Sequence, residues 1–286
     1  MKINYSTYIS LVLLTIVFFL APHSVYSDSV KSATDPNSPV TIILSPHFDD
    51  AVLSLGGLIS TDPKPLIVAT FFTGAPKRAV KTEWDKLSGF LNSKKAHSMR
   101  YDENSKALYG VTIKNYDYLD YQYDPSRSSE KVQKSIEKDI ENLIALYPKR
   151  QIKIYGPSIF TEKITHPDHR LAHQAFYNVF LKHKDSNLIS FYFYEDFPYI
   201  NLFEKENSIS ILQFLQNIYP EVKLTTMTIP LSKKTLKQKL SHLAKYSSQM
   251  RALSPHKSLL LTAKVFMINR CKAEKLFACE VVYQIK

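Results

Sequence analysis

The sequence predicts an α/β fold: a mainly parallel sheet with helices on both faces, extended at the C-terminus by a helix and a β-hairpin. The first supporting observation is that short β-branched and aromatic runs alternate with amphipathic helical segments from residue 40 to residue 194. The second is that the last third of the chain leaves this alternation. No linker-like stretch interrupts residues 39–286, so we expect one domain there.

Composition supports a sizeable folded core. The chain has 286 residues, 44% of them hydrophobic, with 18 tyrosines and 16 phenylalanines, which excludes an intrinsically disordered protein. The formal net charge is +11, which indicates a solvated basic surface and is also compatible with peripheral contact with anionic surfaces. The lysines are scattered and no arginine-rich stripe accompanies them, so we expect no nucleic-acid partner.

The N-terminus is typical of an export signal. Lys2 is followed by a mostly apolar run at 9–21, and small residues precede Asp28. We expect a signal peptide over 1–27, an exposed lead-in over 28–38, and a periplasmic or extracellular protein. The alternative is an uncleaved segment that anchors the protein to a membrane, although the run is shorter than the about 20 residues a spanning helix needs.

The predicted elements follow from hydrophobic periodicity. Strands are expected at 40–45, 66–72, 116–119, 152–155 and 189–194. Helices are expected from 51 to 58, over most of 82–109, and at 128–147, 167–183 and 232–253. The hairpin is expected to pair 265–268 with 277–285.

The hairpin segment contains both cysteines of the chain, Cys271 and Cys279. In an oxidising compartment they can form a disulfide, provided that their Cβ atoms face each other. The pair lacks the spacing and the partners of a metal-binding knuckle.

Two short motifs concentrate imidazoles and carboxylates. His-Phe-Asp-Asp at 47–50 follows the first predicted strand, and His-Pro-Asp-His at 166–169 follows a later one and opens a helix. In open α/β sheets, ligands bind beyond the carboxyl ends of the strands, so both motifs are expected at the binding site. The competing interpretation is that these residues only cap the two helices.

The residue types suit a catalytic zinc site, which uses three nitrogen or carboxylate ligands and an open position. His47, Asp50 and His169 provide such a set. Asp49 is then available as the general base for a zinc-bound water.

The remaining motif residues have candidate supporting roles. His166 is expected at the N-cap before Pro167, where it can stabilise an oxyanion and later protonate the leaving amine. Asp168 can orient a ligand imidazole by a hydrogen bond to the ring nitrogen that does not face the metal. His173, one turn after His169, is expected on the helix surface, and the other histidines are also expected at the surface.

Together the motifs resemble the signature of the PIG-L/LmbE family of N-acetylglucosaminyl deacetylases. Ser45 to Gly57 matches its first motif, with Phe48 in place of the usual proline and Ala51 in place of a frequent glutamate. Residues 166–169 match its second motif unchanged. The resemblance, which spans roughly 39–253, implies a Rossmann-like fold, zinc, and hydrolysis of the N-acetyl group of an N-acetylhexosamine in a glycan or glycolipid. It also implies the roles given above for the motif residues.

Three further residues are candidates for substrate binding. Arg100 lies in a helical segment, and Glu195 and Asp196 follow a predicted strand. For Arg100, an ion pair with Glu103 on the same helix face is the structural alternative.

The same motifs are compatible with two other functions. An exported metal-dependent phosphoesterase would use similar residues, although two-metal phosphoesterases usually need more ligands than these motifs offer. A non-catalytic basic glycan-binding protein on the same fold would have no need of the base Asp49.

Overall fold

A seven-stranded sheet forms the centre of the protein. The computed structural model describes residues 38–62, 65–253 and 258–286. The strands are β1 Val40–Ser45, β2 Leu66–Thr70, β3 Thr112–Asn115, β4 Ile152–Pro157, β5 Ile189–Tyr194, β6 Leu224–Pro230 and β7 Cys279–Ile285. Their order is β3-β2-β1-β4-β5-β7-β6. β1 to β5 pair in parallel, whereas β7 is antiparallel to both β5 and β6.

Ten helices are present in the described residues. They are α1 Asp50–Thr61, α2 Glu83–Leu87, α3 Ser93–Ala107, α4 Ser129–Ala145, α5 Pro167–His183, α6 Tyr199–Glu206, α7 Ile211–Ile218, α8 Lys233–Leu243, α9 Ser247–Leu253 and α10 Leu259–Arg270. None of the helices in the described ranges is long and apolar enough to cross a membrane. The predicted signal at 1–27 and all but the last residue of the lead-in at 28–38 lie outside the described residues.

The sheet brings both motifs to one edge. β1 lies inside the sheet, between β2 and β4, and all six of its residues are buried, as its β-branched sequence predicts. It pairs with β4 so that Ile43 lies opposite Tyr155. The strand order reverses direction between β1 and β4, which is the point where such sheets bind ligands. The motif at 47–50 follows β1, and the motif at 166–169 follows β4 after a short loop.

The C-terminal elements hold α1 in place. The regular helical geometry of α1 is interrupted at Leu55. Just after this residue, the Glu280 carboxylate accepts hydrogen bonds from the backbone N–H of Gly57 (2.7 Å) and of Leu58 (2.9 Å). A Cβ on Gly57 would lie 2.3 Å from Leu231 and 3.0 Å from Glu280, so only glycine permits this approach. Lys239 pairs with the same carboxylate at 2.7 Å. Because α1 begins at Asp50, this buried pair supports one wall of the site.

The predicted C-terminal hairpin is wrong in its first strand. Residues 265–268 lie within α10, which buries Leu259, Ala263 and Met267 at helical spacing, and β7 pairs with β5 and β6 instead. A four-residue apolar run is compatible with either a helix or a strand, and the flanking periodicity decides for the helix. The cysteine pair does form: a disulfide joins Cys271, after α10, to Cys279 at the start of β7, with a Cα–Cα distance of 5.9 Å.

Three other boundaries differ from the prediction. The helix expected over 82–109 is two helices separated by a turn with Gly89 at φ 82°. The helix expected over 232–253 is likewise interrupted between α8 and α9. Residues 116–119 make only isolated bridges to 72 and 74, and the regular strand β3 precedes them.

His173 is buried, contrary to the prediction of a surface residue. Its Nδ1 lies 2.7 Å from the Pro157 carbonyl oxygen, and its Nε2 lies 2.6 Å from the Tyr219 hydroxyl. The carbonyl can only accept, so Nδ1 carries the proton and Nε2 accepts from Tyr219. Burial lowers the pKa of His173 to about 4, because this environment satisfies the neutral ring.

This burial predicts an acid-sensitive contribution to stability. A folded-state pKa below the unfolded value means that the unfolded chain binds more protons, so stability is lost as pH falls from about 6.5 toward 4. For His173→Gln, the loss in unfolding free energy between pH 7 and pH 4.5 should be smaller than in the wild type by about 2 kcal/mol. Urea unfolding of both proteins in chelator at the two pH values measures this. Equal losses would show that His173 titrates normally.

Candidate active site

A cleft opens at the carboxyl edge of the sheet, above β1 and β4. Both motifs contribute to its walls, and residues from the loops and from α2, α3 and α9 complete it. The cleft lining includes Phe72, Trp84, Arg100, Asp120, Tyr123 and Tyr199. The two motifs, more than 100 residues apart in the chain, therefore meet in one concave site.

Three side-chain atoms converge with the spacing of a metal centre. His47 Nδ1 lies 3.2 Å from His169 Nε2 and 3.4 Å from Asp50 Oδ2, and these last two atoms are 3.2 Å apart. Zinc bonds of about 2.0–2.2 Å in a tetrahedron place neighbouring ligand atoms about 3.4 Å from one another. The three residues predicted as ligands therefore fit zinc in donor type and in spacing.

The second nitrogen of each imidazole contacts a carboxylate. His47 Nε2 lies 2.8 Å from Asp168 Oδ2, and His169 Nδ1 lies 2.5 Å from Asp196 Oδ2. A carboxylate on one ring nitrogen fixes the tautomer and leaves the lone pair of the other nitrogen for a metal. Asp168 is thus placed as the predicted orienting carboxylate, with His47 as its imidazole.

The electrostatics of the site favour a cation. Burial lowers the pKa of His169, but the negative charges of Asp196 and Asp50 outweigh it and raise the pKa to about 10. For His47, the carboxylates of Asp168 and Asp50 likewise outweigh burial and raise the pKa. The negative potential that favours protonated imidazoles also favours a bound divalent ion.

Asp49 lines the cleft beside the ligands. It is the N-cap residue of α1, yet its carboxylate bonds none of the first-turn N–H groups, all of which the structure describes. Burial first, and then the charge of Asp50, raises the pKa of Asp49 to about 7. The interpretation of Asp49 as a simple helix cap therefore fails.

His166 occupies the N-cap of α5, with Pro167 in the first turn as predicted. Its Nδ1 accepts a hydrogen bond from the backbone N–H of Asp168 at 3.3 Å. The proton of the neutral ring is therefore on Nε2, where it can be donated to a ligand in the cleft. Burial, followed by the charge of His47, lowers the pKa of His166 to about 4.

A second group of potential metal ligands shares His47 with the first. Its four members are His47, Asp120, His166 and Asp168. Two arginines compensate its carboxylates: the Arg127 guanidinium donates to Asp168, and Arg100 lies 4.0 Å from Asp120. Because the two arginines already neutralise these carboxylates and would repel a metal cation there, we assign the metal to the His47, Asp50 and His169 group.

Arg100 points into the cleft and does not pair with Glu103. The Glu103 carboxylate instead accepts from the Ser248 backbone N–H (2.9 Å) and from the hydroxyls of Ser247 and Ser248, at the start of α9. Within the described residues, Arg100 Nε and Nη2 have no hydrogen-bond partner. Both nitrogens are buried, and the guanidinium lines the cleft beside Asp120.

The structure gives the two acidic substrate candidates other roles. Glu195 forms an ion pair with Arg270 (Nε–Oε2 2.9 Å) and accepts from the Tyr283 hydroxyl at 2.6 Å, away from the cleft lining. Asp196 lies behind His169. Both expectations of direct substrate contact are corrected: one carboxylate joins β5 to α10, and the other orients a ligand.

Sequence reasoning missed several cleft residues. Asp120 lies 3.9 Å from His47 Nε2 and accepts from the Gln122 side chain at 2.7 Å. Its signal is a carboxylate just beyond a strand end, the same signal that identified the motifs. Trp84 and Tyr199 carry no comparable signal, because aromatic residues are common in cores.

Asp196 provides a test of the oriented ligand. Asp196→Asn should lower zinc affinity by about 10–100-fold, because the amide orients and polarises His169 less strongly than the carboxylate does. Competition with a chromophoric chelator measures the dissociation constant. Glu195→Gln, one residue away, is the matched control and should change stability but not zinc affinity. Equal affinity in the wild type and Asp196→Asn would contradict the orienting role.

Part of the chain matches a known protein family. Residues 42–180, which contain both motifs, match the PIG-L family, described as GlcNAc-PI de-N-acetylase. No curated protein sequence matches the chain significantly.

Solved structures share the fold at low sequence identity. The zinc-inhibited form of teicoplanin deacetylase is 18% identical, with a TM-score of 0.67, and the alignment covers 86% of this chain and 98% of that one. The N,N'-diacetylchitobiose deacetylase of Pyrococcus horikoshii is 14% identical, with a TM-score of 0.51 and coverage of 100% and 94%. A 4-carboxy-2-hydroxymuconate hydratase from Pseudomonas putida is also 14% identical, with a TM-score of 0.54 and coverage of 86% and 96%.

The hydratase shows that this fold carries more than one reaction, so the side chains of the site must decide the chemistry. Both motifs lie within the family match, and the structure joins them in one zinc-compatible cleft. Residues 42–180 of the chain match a PIG-L family domain, and solved deacetylases share the fold.

Proposed function

We propose that the protein is a zinc-dependent hydrolase that removes the N-acetyl group from an N-acetylhexosamine in a glycan or glycolipid. The observation that carries the proposal is the set of three ligand atoms 3.2–3.4 Å apart, with Asp49 and His166 lining the same cleft. The deacetylase activities of two of the neighbours and the family description support the same reaction.

His47, Asp50 and His169 would hold zinc, which would supply the Lewis-acid chemistry that acidifies water and polarises a carbonyl. Asp49 accepts a proton from the attacking water as the new C–O bond forms at the acetyl carbon. Its position in the cleft wall, without a helix N–H to bond, leaves the carboxylate available for this step.

His166 acts on the other side of the reacting carbon. Its Nε2–H donates a hydrogen bond to the oxygen that becomes negative during the attack. Breaking the C–N bond releases acetate and a sugar amine that needs a proton. Because His166 Nδ1 accepts a hydrogen bond, the ring is neutral and carries its single proton on Nε2. We therefore propose that Asp49, rather than His166 as first expected, returns the proton to the leaving amine.

Arg100 is the residue we propose for the sugar hydroxyls. Its side chain is largely buried at the cleft wall, and its Nε and Nη2 have no partner in the described residues. Rings of Trp84 and Tyr123 line the same cleft and offer apolar faces for a pyranose.

We further propose that the enzyme is exported. The support is the sequence of residues 1–27, and a membrane anchor is the alternative. Envelope glycans, exopolysaccharides and host-derived sugars are then the accessible substrates, and the disulfide between Cys271 and Cys279 suits an oxidising compartment.

An acetate-release screen tests the proposal. Zinc-loaded protein is incubated with N-acetylated chitooligosaccharides, peptidoglycan fragments and N-acetylglucosaminyl phosphoinositides, and with a phosphomonoester as the control for phosphoesterase activity. Acetate and a free amine in equal amounts are expected from at least one amino sugar. Phosphate release without acetate would contradict the proposal.

A further inference from the structure

One rim of the cleft exposes a group of apolar side chains. Leu87 ends α2 and is 58% exposed, and Leu91 in the following turn is 74% exposed. The exposed Val80 lies beside them because the chain folds back: the Ser93 backbone N–H donates to the Val80 carbonyl at 2.7 Å. We call Val80, Leu87 and Leu91 the rim patch.

Basic residues surround the rim patch. Residues 77–95 contain Lys77, Arg78, Lys81, Lys86, Lys94 and Lys95, all of them exposed. The same stretch has only two acidic residues, and one of these, Asp85, is buried and accepts from the Tyr123 hydroxyl. Exposed apolar side chains among excess positive charges are the combination that binds anionic lipid surfaces.

The rim patch adjoins the site. Trp84, in the same short helix as Leu87, lines the cleft. On the next helix, the exposed Tyr101 packs edge-on against Phe48 of the first motif, with ring centres 6.3 Å apart. A surface bound at the rim patch therefore lies next to the cleft mouth.

The rim patch could bind either a second copy of the chain or an anionic bilayer, and its charge distinguishes the two. A second copy of the chain, joined through a twofold axis, would bring the same six basic residues against each other. An anionic bilayer instead attracts them and accepts the leucine side chains. We propose that the rim patch docks the protein on an anionic phospholipid bilayer, with the cleft mouth at headgroup level.

This docking selects among substrates. An amino sugar attached to a membrane lipid lies at headgroup level and meets the cleft without leaving the bilayer. This consequence rests on the proposed deacetylase function, whereas the docking itself does not.

Trp84 is the single tryptophan of the chain and gives a direct readout. The full protein is mixed with vesicles of phosphatidylcholine alone or of equal parts phosphatidylcholine and phosphatidylglycerol. We expect a blue shift of Trp84 emission and co-sedimentation only with the mixed vesicles, and a loss of both in high salt.

The variant that tests the patch is Leu87→Ser/Leu91→Ser. Because both side chains are exposed, the fold should persist, while vesicle affinity should fall by at least about tenfold. Leu146→Ser is the control: Leu146 is 66% exposed but follows α4 before β4 begins, at the opposite edge of the sheet. Hydrolysis of a short, soluble acetylated sugar should be unchanged in both variants.

Three results would overturn the docking. They are equal binding to the two vesicle types, wild-type affinity in the double serine variant, and a self-associated state in solution that the double variant abolishes. If vesicles bind as expected but no amino sugar releases acetate, the docking stands and only the proposed function fails.

Discussion

Replacing Asp49 with asparagine should lower kcat for acetate release by about 10²–10⁴-fold while zinc remains bound. The amide has nearly the same volume but no basic oxygen to take a proton from water. The three ligand atoms belong to other residues and retain their mutual spacing. Steady-state kinetics and metal analysis on the same sample measure both properties.

The matched control for this change is Asp102→Asn. Asp102 lies on the surface of α3, where it pairs with Lys106, so the same chemical substitution there should leave kcat unchanged. An Asp49→Asn enzyme with wild-type kcat would show that another group activates the water.

His169→Gln should weaken zinc binding by more than the about 10–100-fold typical of outer-shell partners, because it removes one of three ligands. His169 Nε2 lies within 3.2 Å of atoms from both other ligands, and no other imidazole nitrogen in the described residues is placed to substitute for it in that group. Acetate release should be lost at limiting zinc. Chelator competition gives the affinity, and excess zinc tests whether activity returns.

His166→Gln separates the two histidines of the second motif. It should retain zinc and lose rate, because His166 lies outside the assigned ligand group and its role is to donate to the oxyanion. If His166→Gln lost the metal and His169→Gln kept it, the two assignments would be reversed.

The parallel sheet and the set of metal ligands could be predicted from the sequence. Runs such as 40–45 are mostly apolar and β-branched because strands in a parallel sheet are buried on both faces, and their carboxyl ends meet at one edge. Two motifs beyond such ends had to converge. Their convergence in the His47, Asp50 and His169 group follows from that topology.

The structure of the C-terminal region could not be predicted from the sequence in the same way. Residues 265–268 are apolar enough for a strand, but tertiary packing places them in α10. β6 was not predicted, because it lies at the edge of the sheet and only one of its seven residues is fully buried, which leaves no clear apolar pattern. Its pairing with β7 depends on contacts between segments about 50 residues apart.

The roles of single polar residues also depended on tertiary contacts. Position at a strand end suggested that Glu195 and Asp196 touch substrate, yet alternate residues of an extended chain point in opposite directions. One carboxylate contacts Arg270 and the other His169. Likewise, Arg100 and Glu103 are spaced for an ion pair, but the Glu103 carboxylate instead accepts a hydrogen bond from the Ser248 backbone N–H at the N-terminus of α9.

Titration of the metal-free protein with zinc tests most directly whether one zinc, held by three residues, drives amide hydrolysis. Acetate release from an N-acetylated amino sugar should rise from the background level and saturate at about one zinc per chain. Acetate release that is equally fast in chelator, or no acetate release at any zinc concentration, would contradict the account.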